Sequence, residues 1–277
     1  MTPLVSLFSQ PRHLPSVPEV VHELLDTFNQ ADPDLLVIAS KISCDPVIPA
    51  RLLGLANAAR FGNGRVITSV REACIRLGLA TVRNLVLACG LTQSVSAVPG
   101  IQLTHYWNQV FTVAELAKRL ARRGNDSGDL AYTAGLLHAL GRLVLHLGLP
   151  LGELQKLMRD SERDGELNAQ HRLLGYTYAT VGAELAQRWK LPPHLVSAIG
   201  EHLQPLQATV INRDACIVHL ALWLATQPTK IADVQQTPPA DWPLHTAHQV
   251  SLEWRDVADI WLRFQLEGHG LASLLAA

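Results

Sequence analysis

The amino-acid sequence predicts an all-α protein, and three kinds of pattern support this fold class. Apolar residues recur with helical spacing in most segments, for example at positions i, i+4 and i+8 of residues 20–28. No segment alternates apolar and polar residues over several positions, as a half-buried strand would. Capping residues mark helix boundaries: Ser69 and Glu72 form a capping box, and Gly78 suits a helix C-terminus.

The first half of the chain is predicted to form about five helices. Two Asp-Pro pairs, at residues 32–33 and 45–46, each place an N-cap before a proline at the first helical position. The capping box at Ser69 begins a short helix that ends at Gly78, and residues 79–95 supply one more helix. Because Val-Pro-Gly at residues 98–100 breaks the pattern, we predict an N-terminal domain over residues 14–98.

A second helical domain is predicted over residues 104–226. It begins with a long helix at residues 105–123, whose last turn carries arginines suited to a helix C-terminus. Further helices are expected at residues 128–147, 151–163, 166–174, 177–189, 193–203 and 212–226. Residues 227–277 are predicted to contain an irregular connection rich in proline, glutamine and threonine, followed by helices over residues 252–266 and 271–276.

The composition excludes several classes of protein. A chain of 277 residues, 48% of them hydrophobic, can bury a sizeable core, which excludes a disordered regulator. Its 23 basic and 24 acidic residues nearly cancel, which excludes a uniformly basic nucleic-acid binder. The four cysteines form no CxxC pair and are expected to be reduced thiols. Without a signal peptide or an apolar run of about 20 residues, we expect a cytoplasmic protein that does not insert into membranes.

One motif carries the strongest functional signal. Residues 134–143 read AGLLHALGRL, in which His138 and Arg142 are the polar side chains. This run resembles the GLLHDIGKL signature of the HD superfamily of metal-dependent phosphohydrolases. Other segments, within roughly residues 14–225, resemble the HDOD domain, the regulatory branch of that superfamily. They are LPSVPEV at 14–20, DP at 45–46, RLL at 51–53, LAN at 55–57, FG at 61–62, IRLG at 75–78 and GAEL at 182–185.

The resemblance implies a metal site that this sequence has largely lost. Catalytic members bind metal through histidines, a His-Asp doublet and a distal aspartate, because hard divalent cations need carboxylates as well as imidazoles. At most of the matching positions this chain has other residues, namely Gln109, Ala139, Tyr178, Leu203 and Leu222. His138 and His202 are retained, but two imidazoles without a bridging carboxylate cannot hold a dinuclear site. We therefore expect no metal, no cofactor and no catalytic residue.

Two interpretations of His138 stay open. In the first, it is a buried histidine that donates a hydrogen bond to a backbone carbonyl. In the second, it shares a weak contact to an anion or a cyclic nucleotide with Arg142 and His202. Elsewhere, His245 and His248 lack a neighbouring cysteine or carboxylate and are predicted to be solvated loop residues. An acidic stretch is predicted to be a solvated helix face rather than an acid/base pair, and it consists of Glu153, Glu162, Asp164 and Glu166.

Residues 51–83 carry a local excess of positive charge. They contain six arginines and one acid, Glu72, so their net charge is +5 in a protein whose total is −1. Because arginine forks suit phosphates and carboxylates, Arg71, Arg76 and Arg83 are candidate contacts for a ligand or partner. The alternative is that these arginines cap helix C-termini and pair within the molecule. Only Phe61 is aromatic among them, so stacking on single-stranded nucleic acid is not expected.

Four residues of the first-half motifs are predicted to serve the fold. Asn57 is expected to satisfy buried backbone groups at a helix end, and Phe61 to anchor a loop in the core. Gly62 and Gly78 are expected where the backbone needs a tight turn or a positive φ angle.

The resemblance implies a two-part helical bundle, in which an N-terminal HDOD-type subdomain packs on a degenerate HD-like bundle. It also implies a non-catalytic bacterial signal-transduction module that binds a protein or a small nucleotide, as the output part of a sensory or two-component pathway. Two alternatives stay open. One is a metal-dependent phosphohydrolase or phosphodiesterase with an atypical site. The other is a regulator that contacts nucleic acid through the cluster from Arg51 to Arg83, although we do not expect nucleic acid as the partner.

Overall fold

The computed structural model describes residues 2–8, 34–43, 48–57, 66–227 and 237–267. In this part of the chain the regular structure is helical, apart from one isolated β-bridge between Val98 and Ile101, so the all-α prediction is confirmed. The chain divides into two compact units. The N-terminal unit comprises residues 16–96 together with 268–277, and the large unit comprises residues 1–15 together with 97–267.

The N-terminal unit contains four helices within its described residues. They are α1 (Leu35–Ile42), α2 (Ile48–Asn57), α3 (Val70–Leu77) and α4 (Leu79–Gln93). The predicted capping box is present, since the Glu72 amide donates to the Ser69 hydroxyl at 3.2 Å. Gly78 ends α3 with a φ angle of 77°, as predicted for a position that favours glycine.

Asn57 has the structural role predicted for it. Its side-chain amide donates to the carbonyl of Ile67 at 2.8 Å, and its side-chain oxygen accepts from the Ile67 amide at 2.8 Å. The same amide group also donates to the Leu53 carbonyl, so one side chain joins the end of α2 to the segment that precedes α3. Phe61 and Gly62, the other predicted fold residues of this motif, lie outside the described residues.

The large unit holds the remaining helices. They are α5 (Leu103–Arg123), α6 (Gly128–Leu137), α7 (Leu140–Gly148), α8 (Leu151–Asp164), α9 (Glu166–Leu174), α10 (Tyr178–Arg188), α11 (Pro193–Glu201), α12 (Arg213–Ala225), α13 (Leu244–Gln249) and α14 (Trp254–Glu267). Short 3-10 turns occur at Leu4–Phe8 and Pro205–Gln207. One apolar core runs between α5, α6, α11, α12 and the last two helices.

The prediction of one continuous helix over residues 128–147 is wrong. The helix breaks at residues 138–139 into α6 and α7, because the His138 ring competes for the Gly135 carbonyl and Ala139 leaves the helical conformation at φ −100° and ψ 0°. The stretch Gly128–Gly148 is long and apolar enough to cross a membrane, but most of it is buried inside the unit. Helices of a protein core are apolar and buried in the same way.

Two glycines allow the helices around this break to approach closely. A Cβ atom at Gly141 of α7 would overlap the Tyr178 carbonyl oxygen and would lie 2.6 Å from the Gly182 nitrogen of α10. A Cβ atom at Gly135 of α6 would lie 2.7 Å from the Ala114 Cα of α5. Real Cβ atoms do not tolerate such distances from backbone atoms, so both crossings require glycine. The crossing at Gly141 brings the start of α10 against α7.

The segment after α12 is more regular than predicted. Within the stretch predicted as an irregular connection, residues 244–249 form α13, and the helix predicted over residues 252–266 is present as α14. Three indoles hold this region together, since the rings of Trp223, Trp242 and Trp254 meet edge to face at centroid distances of 5.2–6.2 Å. The helix predicted over residues 271–276 lies outside the described residues.

Candidate functional site

The two retained histidines meet in the interior of the large unit. His138 follows the last residue of α6 and His202 follows the last residue of α11, and both side chains are fully buried. Their rings meet edge to face with centroids 5.4 Å apart. Each Nδ1 donates to the carbonyl three residues earlier, Gly135 at 2.6 Å and Ile199 at 2.7 Å. The backbone hydrogen bond predicted for His138 is therefore present, and His202 repeats it.

Both imidazoles are neutral at physiological pH. Burial lowers the pKa of His202 to about 4. Burial, followed by the neighbouring His202, lowers the pKa of His138 well below its ordinary value. Because Nδ1 carries the proton on each ring, each Nε2 presents a lone pair that accepts a hydrogen bond or binds a metal.

Tyr178 uses the lone pair of His202. It is the first residue of α10, and its hydroxyl donates to the His202 Nε2 at 3.2 Å. Burial raises the pKa of this phenol to about 12, so the hydroxyl keeps its proton and remains a donor. The backbone amide of Tyr178 donates to the Gln170 side chain of α9 at 2.7 Å, which fixes the start of α10.

A cation completes the cluster beside Tyr178. The guanidinium of Arg142, on α7, lies over the Tyr178 ring with its Cζ atom 4.4 Å from the centroid. Arg142 also pairs with Glu166 at 2.8 Å, and Gln170 donates to the same carboxylate at 3.0 Å. The prediction of a wholly solvated acidic face is therefore wrong for Glu166, which is half-buried. We call the residues His138, Arg142, Glu166, Tyr178 and His202 the inner cluster.

Several polar atoms at the inner cluster have no partner among the described residues. They are the Nε2 of His138, the Nε of Arg142 and the hydroxyl of Tyr106, a buried residue of α5. Burial raises the pKa of Tyr106, while Arg142 opposes that effect, which places the phenol within the field of the cluster. These atoms offer one acceptor and two donors in the interior, in a setting where water or a small polar molecule would hydrogen bond.

The residues of the inner cluster do not fit the divalent metal that catalytic relatives would bind. Tyr178 already uses the Nε2 of His202, and the Arg142 guanidinium places a fixed positive charge beside the rings. Glu166, the carboxylate of the cluster, is paired with that guanidinium. Across the described residues, no group of three or more His, Cys, Asp or Glu side chains is placed to hold a metal ion.

Sequence reasoning missed Glu166, Gln170 and Tyr106. The spacing of Glu166 and Gln170, one helical turn apart, was the available signal that both side chains share one face of α9. Tyr106 stands three residues before Gln109, the position where a metal-binding histidine was sought. None of these three residues lies at a position where catalytic relatives have a metal ligand. A comparison restricted to metal-ligand positions therefore did not identify them.

The predicted arginine contacts lie in the N-terminal unit. Arg71 is exposed on α3, whereas Arg76 and Arg83 are half-buried. Ile75, one turn after Arg71 on the same helix face, is exposed as well. Arg51 is half-buried, and the other two arginines of the cluster lie outside the described residues. The N-terminal unit thus presents one exposed arginine beside one exposed aliphatic side chain. Arg142, the other predicted arginine contact, belongs to the large unit.

His245 and His248 form no site with other residues that the structure describes. Both are exposed, as predicted, but they lie on α13 rather than in a loop. The cysteines described, Cys74, Cys89 and Cys216, are buried and have free thiol groups.

Comparisons with known proteins agree on one family. The sequence profile of the HDOD domain matches residues 14–205. A solved structure from Shewanella amazonensis SB2B, whose phosphohydrolase assignment is provisional, is 29% identical and covers 98% of each chain with a TM-score of 0.78. An HDOD domain protein of unknown function from Geobacter sulfurreducens is 25% identical, covers 94% of this chain and 87% of its own, and has a TM-score of 0.70.

One curated relative has a longer chain. It is an uncharacterized protein from Treponema pallidum (strain Nichols), 30% identical over 196 residues. The aligned region covers 68% of this chain but 37% of that protein, so this chain spans little more than a third of the length of the relative it matches.

Proposed function

The chain belongs to the HDOD domain family, and we propose that it is a signal-transduction module that acts by binding a protein partner, not by hydrolysing phosphate esters. One observation carries this proposal: the Tyr178 hydroxyl donates to His202 while Arg142 lies over the Tyr178 ring. A phosphohydrolase site needs free metal-binding lone pairs and carboxylates at this place. The inner cluster instead joins these groups to one another.

The electrostatics of the inner cluster support the same conclusion. A divalent cation would have to displace a phenol from His202 and enter beside a guanidinium that is held by Glu166 and Gln170. Alanine, tyrosine and leucine at the positions of lost ligands supply apolar or weakly coordinating surroundings, which oppose the burial of divalent charge. Activation of a water molecule for attack on phosphorus has no support from such a set.

The proposed mode of action needs exposed surface for a partner. In the N-terminal unit, Arg71 and Ile75 present a cation and an aliphatic side chain on the same face of α3. Such a pair suits a partner that offers a carboxylate beside an apolar contact.

Metal analysis of the purified protein tests the proposal. We expect no stoichiometric iron, manganese or nickel after expression in medium supplemented with these metals, and no turnover of p-nitrophenyl phosphate or bis(p-nitrophenyl) phosphate. A double variant, Ala139→Asp with Tyr178→His, restores two metal-binding side chains and serves as the control. It should take up more metal than the parent, because it adds a carboxylate and frees the His202 lone pair. Stoichiometric metal with phosphatase activity in the parent would overturn the proposal.

A further inference from the structure

An open groove lies on the outer side of the helices that carry the inner cluster. Its volume is about 890 Å³. Its walls come from α9, from the start of α10, from the last turns of α11 and from the segment 203–212. Volumes of about 300–1,000 Å³ are typical of binding sites in proteins. Thr177 and Glu201, which line the groove, directly precede Tyr178 and His202 of the inner cluster.

The walls of the groove carry exposed aliphatic side chains. Leu167 is 38% exposed, Ile211 is 37% exposed and Val210 is 82% exposed. All three line the groove, and Leu206 is exposed in the same segment as the last two. Large aliphatic side chains clustered around one concave surface are typical of protein docking sites, since exposure of each to water is unfavourable.

Glu201 places a carboxylate in the same groove. Among the described residues that line the groove it is the acidic one, and none of them is a lysine or an arginine. Its Oε2 atom is buried and has no hydrogen-bond partner among the described residues, while Ser197, one turn earlier, bonds to the carboxylate. Burial raises the pKa of Glu201, and the hydrogen bond from Ser197 opposes that effect. The side chain as a whole is half-buried and lines the groove, so its carboxylate lies within reach of a hydrogen-bond donor on an occupant.

The end of α11 adds to the negative character of the groove. Glu201 is the last residue of this helix, whose C-terminal carbonyl groups carry a partial negative charge. His171, on α9, is the other titratable side chain of the lining and is exposed. The groove therefore combines aliphatic walls with a carboxylate at a helix C-terminus, and an occupant complementary to both is apolar and cationic.

We propose that this groove binds a segment of a partner protein that presents two or more aliphatic side chains and one lysine or arginine. The cation pairs with the Glu201 carboxylate, and the aliphatic side chains cover Leu167, Val210 and Ile211. This inference rests on the proposed function in that it assigns a docking site to a binding module. It differs from the arginine surface of the N-terminal unit, which suits an acidic partner.

Selection from a random dodecapeptide library displayed on phage tests the proposal. The bait is the full chain, and the counter-selection uses the full-chain variant Val210→Asp, which places a negative charge on the aliphatic wall. We expect enriched peptides to carry lysine or arginine beside aliphatic residues. Enrichment of acidic peptides, or of no peptide over the Val210→Asp counter-selection, would overturn the assignment.

Affinity measurements on one enriched peptide then locate its contacts. Fluorescence anisotropy should show binding about tenfold weaker to Val210→Asp, because the aliphatic side chains of the peptide would cover a carboxylate in place of a valine, and the cost of desolvating that charge exceeds its attraction to the peptide lysine. Val5→Asp is the matched control, since Val5 is also an exposed valine of the large unit but does not line the groove. Its affinity should equal that of the parent, and equal losses for both variants would contradict the proposed location.

A charge-matched comparison isolates the role of Glu201. The variant Glu201→Gln should weaken the lysine peptide about tenfold, as expected for a charge-assisted hydrogen bond. It should leave unchanged the affinity for the same peptide with norleucine in place of lysine. Equal effects on both peptides would refute the ion pair.

Two further outcomes separate this inference from competing ones. Sedimentation velocity should show a monomer at concentrations where the peptide binds. If it shows a dimer, and Val210→Asp abolishes that dimer, the occupant of the groove is a second copy of the chain and not a partner protein. Metal and phosphatase measurements test the proposed function independently. A parent protein that holds metal, is active and still binds the peptide would overturn the proposed function and leave the groove assignment intact. A parent protein that holds no metal, is inactive and binds no peptide would overturn the groove assignment and leave the proposed function intact.

Discussion

The inner cluster and the outer groove lie on opposite sides of the same two segments and differ in how accessible their polar groups are to another molecule. Residues 177–178 and 201–202 each place one side chain in the groove and the next in the interior. Inside, the Tyr178 hydroxyl and the His202 ring bond to one another. In the groove, the half-buried Glu201 side chain lines an open wall. The difference is one of access: the unpartnered Nε2 of His138 and Nε of Arg142 are enclosed in the interior, whereas the half-buried Glu201 side chain lines a groove that another molecule can enter.

The largest expected effect comes from the helix crossing that supports the inner cluster. Gly141→Ala would drive a methyl group into the Tyr178 carbonyl of α10, where backbone atoms cannot move aside. We expect a loss of more than about 3 kcal/mol in the free energy of unfolding, or failure to fold. Urea denaturation followed by circular dichroism measures it. A near-neutral result would show that α7 and α10 are not held as described, and the inner cluster would lose its geometric basis.

Gly152→Ala is the control for this variant. Gly152 lies within α8 with nothing within 4 Å of an added Cβ atom. Alanine there should stabilise the protein by up to about 0.5 kcal/mol, because glycine in the first turn of a helix also costs conformational entropy. The two glycine substitutions should therefore have opposite signs.

The next largest effect is a dependence of stability on pH that comes from the interior. The pKa of His202 is lowered from 6.5 to about 4 on folding, so below 6.5 the unfolded chain binds a proton that the folded chain refuses. The stabilisation is complete above 6.5 and falls as the pH decreases toward 4. Between pH 7 and pH 5 this one group should remove about 2 kcal/mol from the free energy of unfolding. His138, whose pKa is lowered in the same direction, adds to the loss.

Urea titrations at a series of pH values measure this effect. The slope of unfolding free energy against pH should be shallower in His202→Gln than in the parent, whatever the absolute stability of the variant. His245→Gln removes an exposed histidine of the same unit and should leave the profile superimposable on that of the parent. Identical slopes in all three proteins would mean that His202 is not a buried neutral ring.

A smaller loss of stability is expected when the hydrogen bond from the Tyr178 hydroxyl to His202 is removed. Tyr178→Phe removes the donor and leaves the Nε2 of His202 buried without a partner. The expected cost is about 1–2 kcal/mol. Tyr176→Phe is the control, since the Tyr176 hydroxyl donates to the Thr2 carbonyl at a half-buried position that water reaches. Its cost should be below about 1 kcal/mol, and equal costs would indicate that the inner cluster is more hydrated than its burial implies.

Much of the fold was predictable because local signals and burial agree. The capping box at Ser69, the positive φ angle of Gly78 and the backbone bonds of Asn57 all follow from short-range chemistry. Helix bounds in the large unit match the apolar periodicity closely, for example over Leu103–Arg123. The break at residues 138–139 was not predictable, because the apolar pattern continues through it and the cause is a side chain bonded to a backbone carbonyl.

The candidate site was predictable only in part. The sequence identifies His138 and His202 as a pair, and the structure brings their rings together. The partners of that pair come from α7, α9 and α10, and they are Arg142, Glu166 and Tyr178. The spacing of Glu166 and Gln170 indicates that both side chains share one face of α9, but it does not reveal that this face meets Arg142. The groove was not predictable, since Leu167 and Ile211 are apolar residues in helical or turn contexts that resemble core positions.

The smallest expected effect is also the sharpest test of the comparison between cluster and groove. Glu201→Gln should change the unfolding free energy by less than about 0.5 kcal/mol, in the stabilising direction, because burial raises the pKa of Glu201 and thereby makes its charged form slightly unfavourable at neutral pH. Glu166→Gln, its counterpart in the inner cluster, should instead cost about 1–2 kcal/mol by leaving Arg142 half-buried without its anion. If Glu201→Gln cost as much as Glu166→Gln, the groove carboxylate would serve the fold and the reason to assign it a cationic partner would disappear.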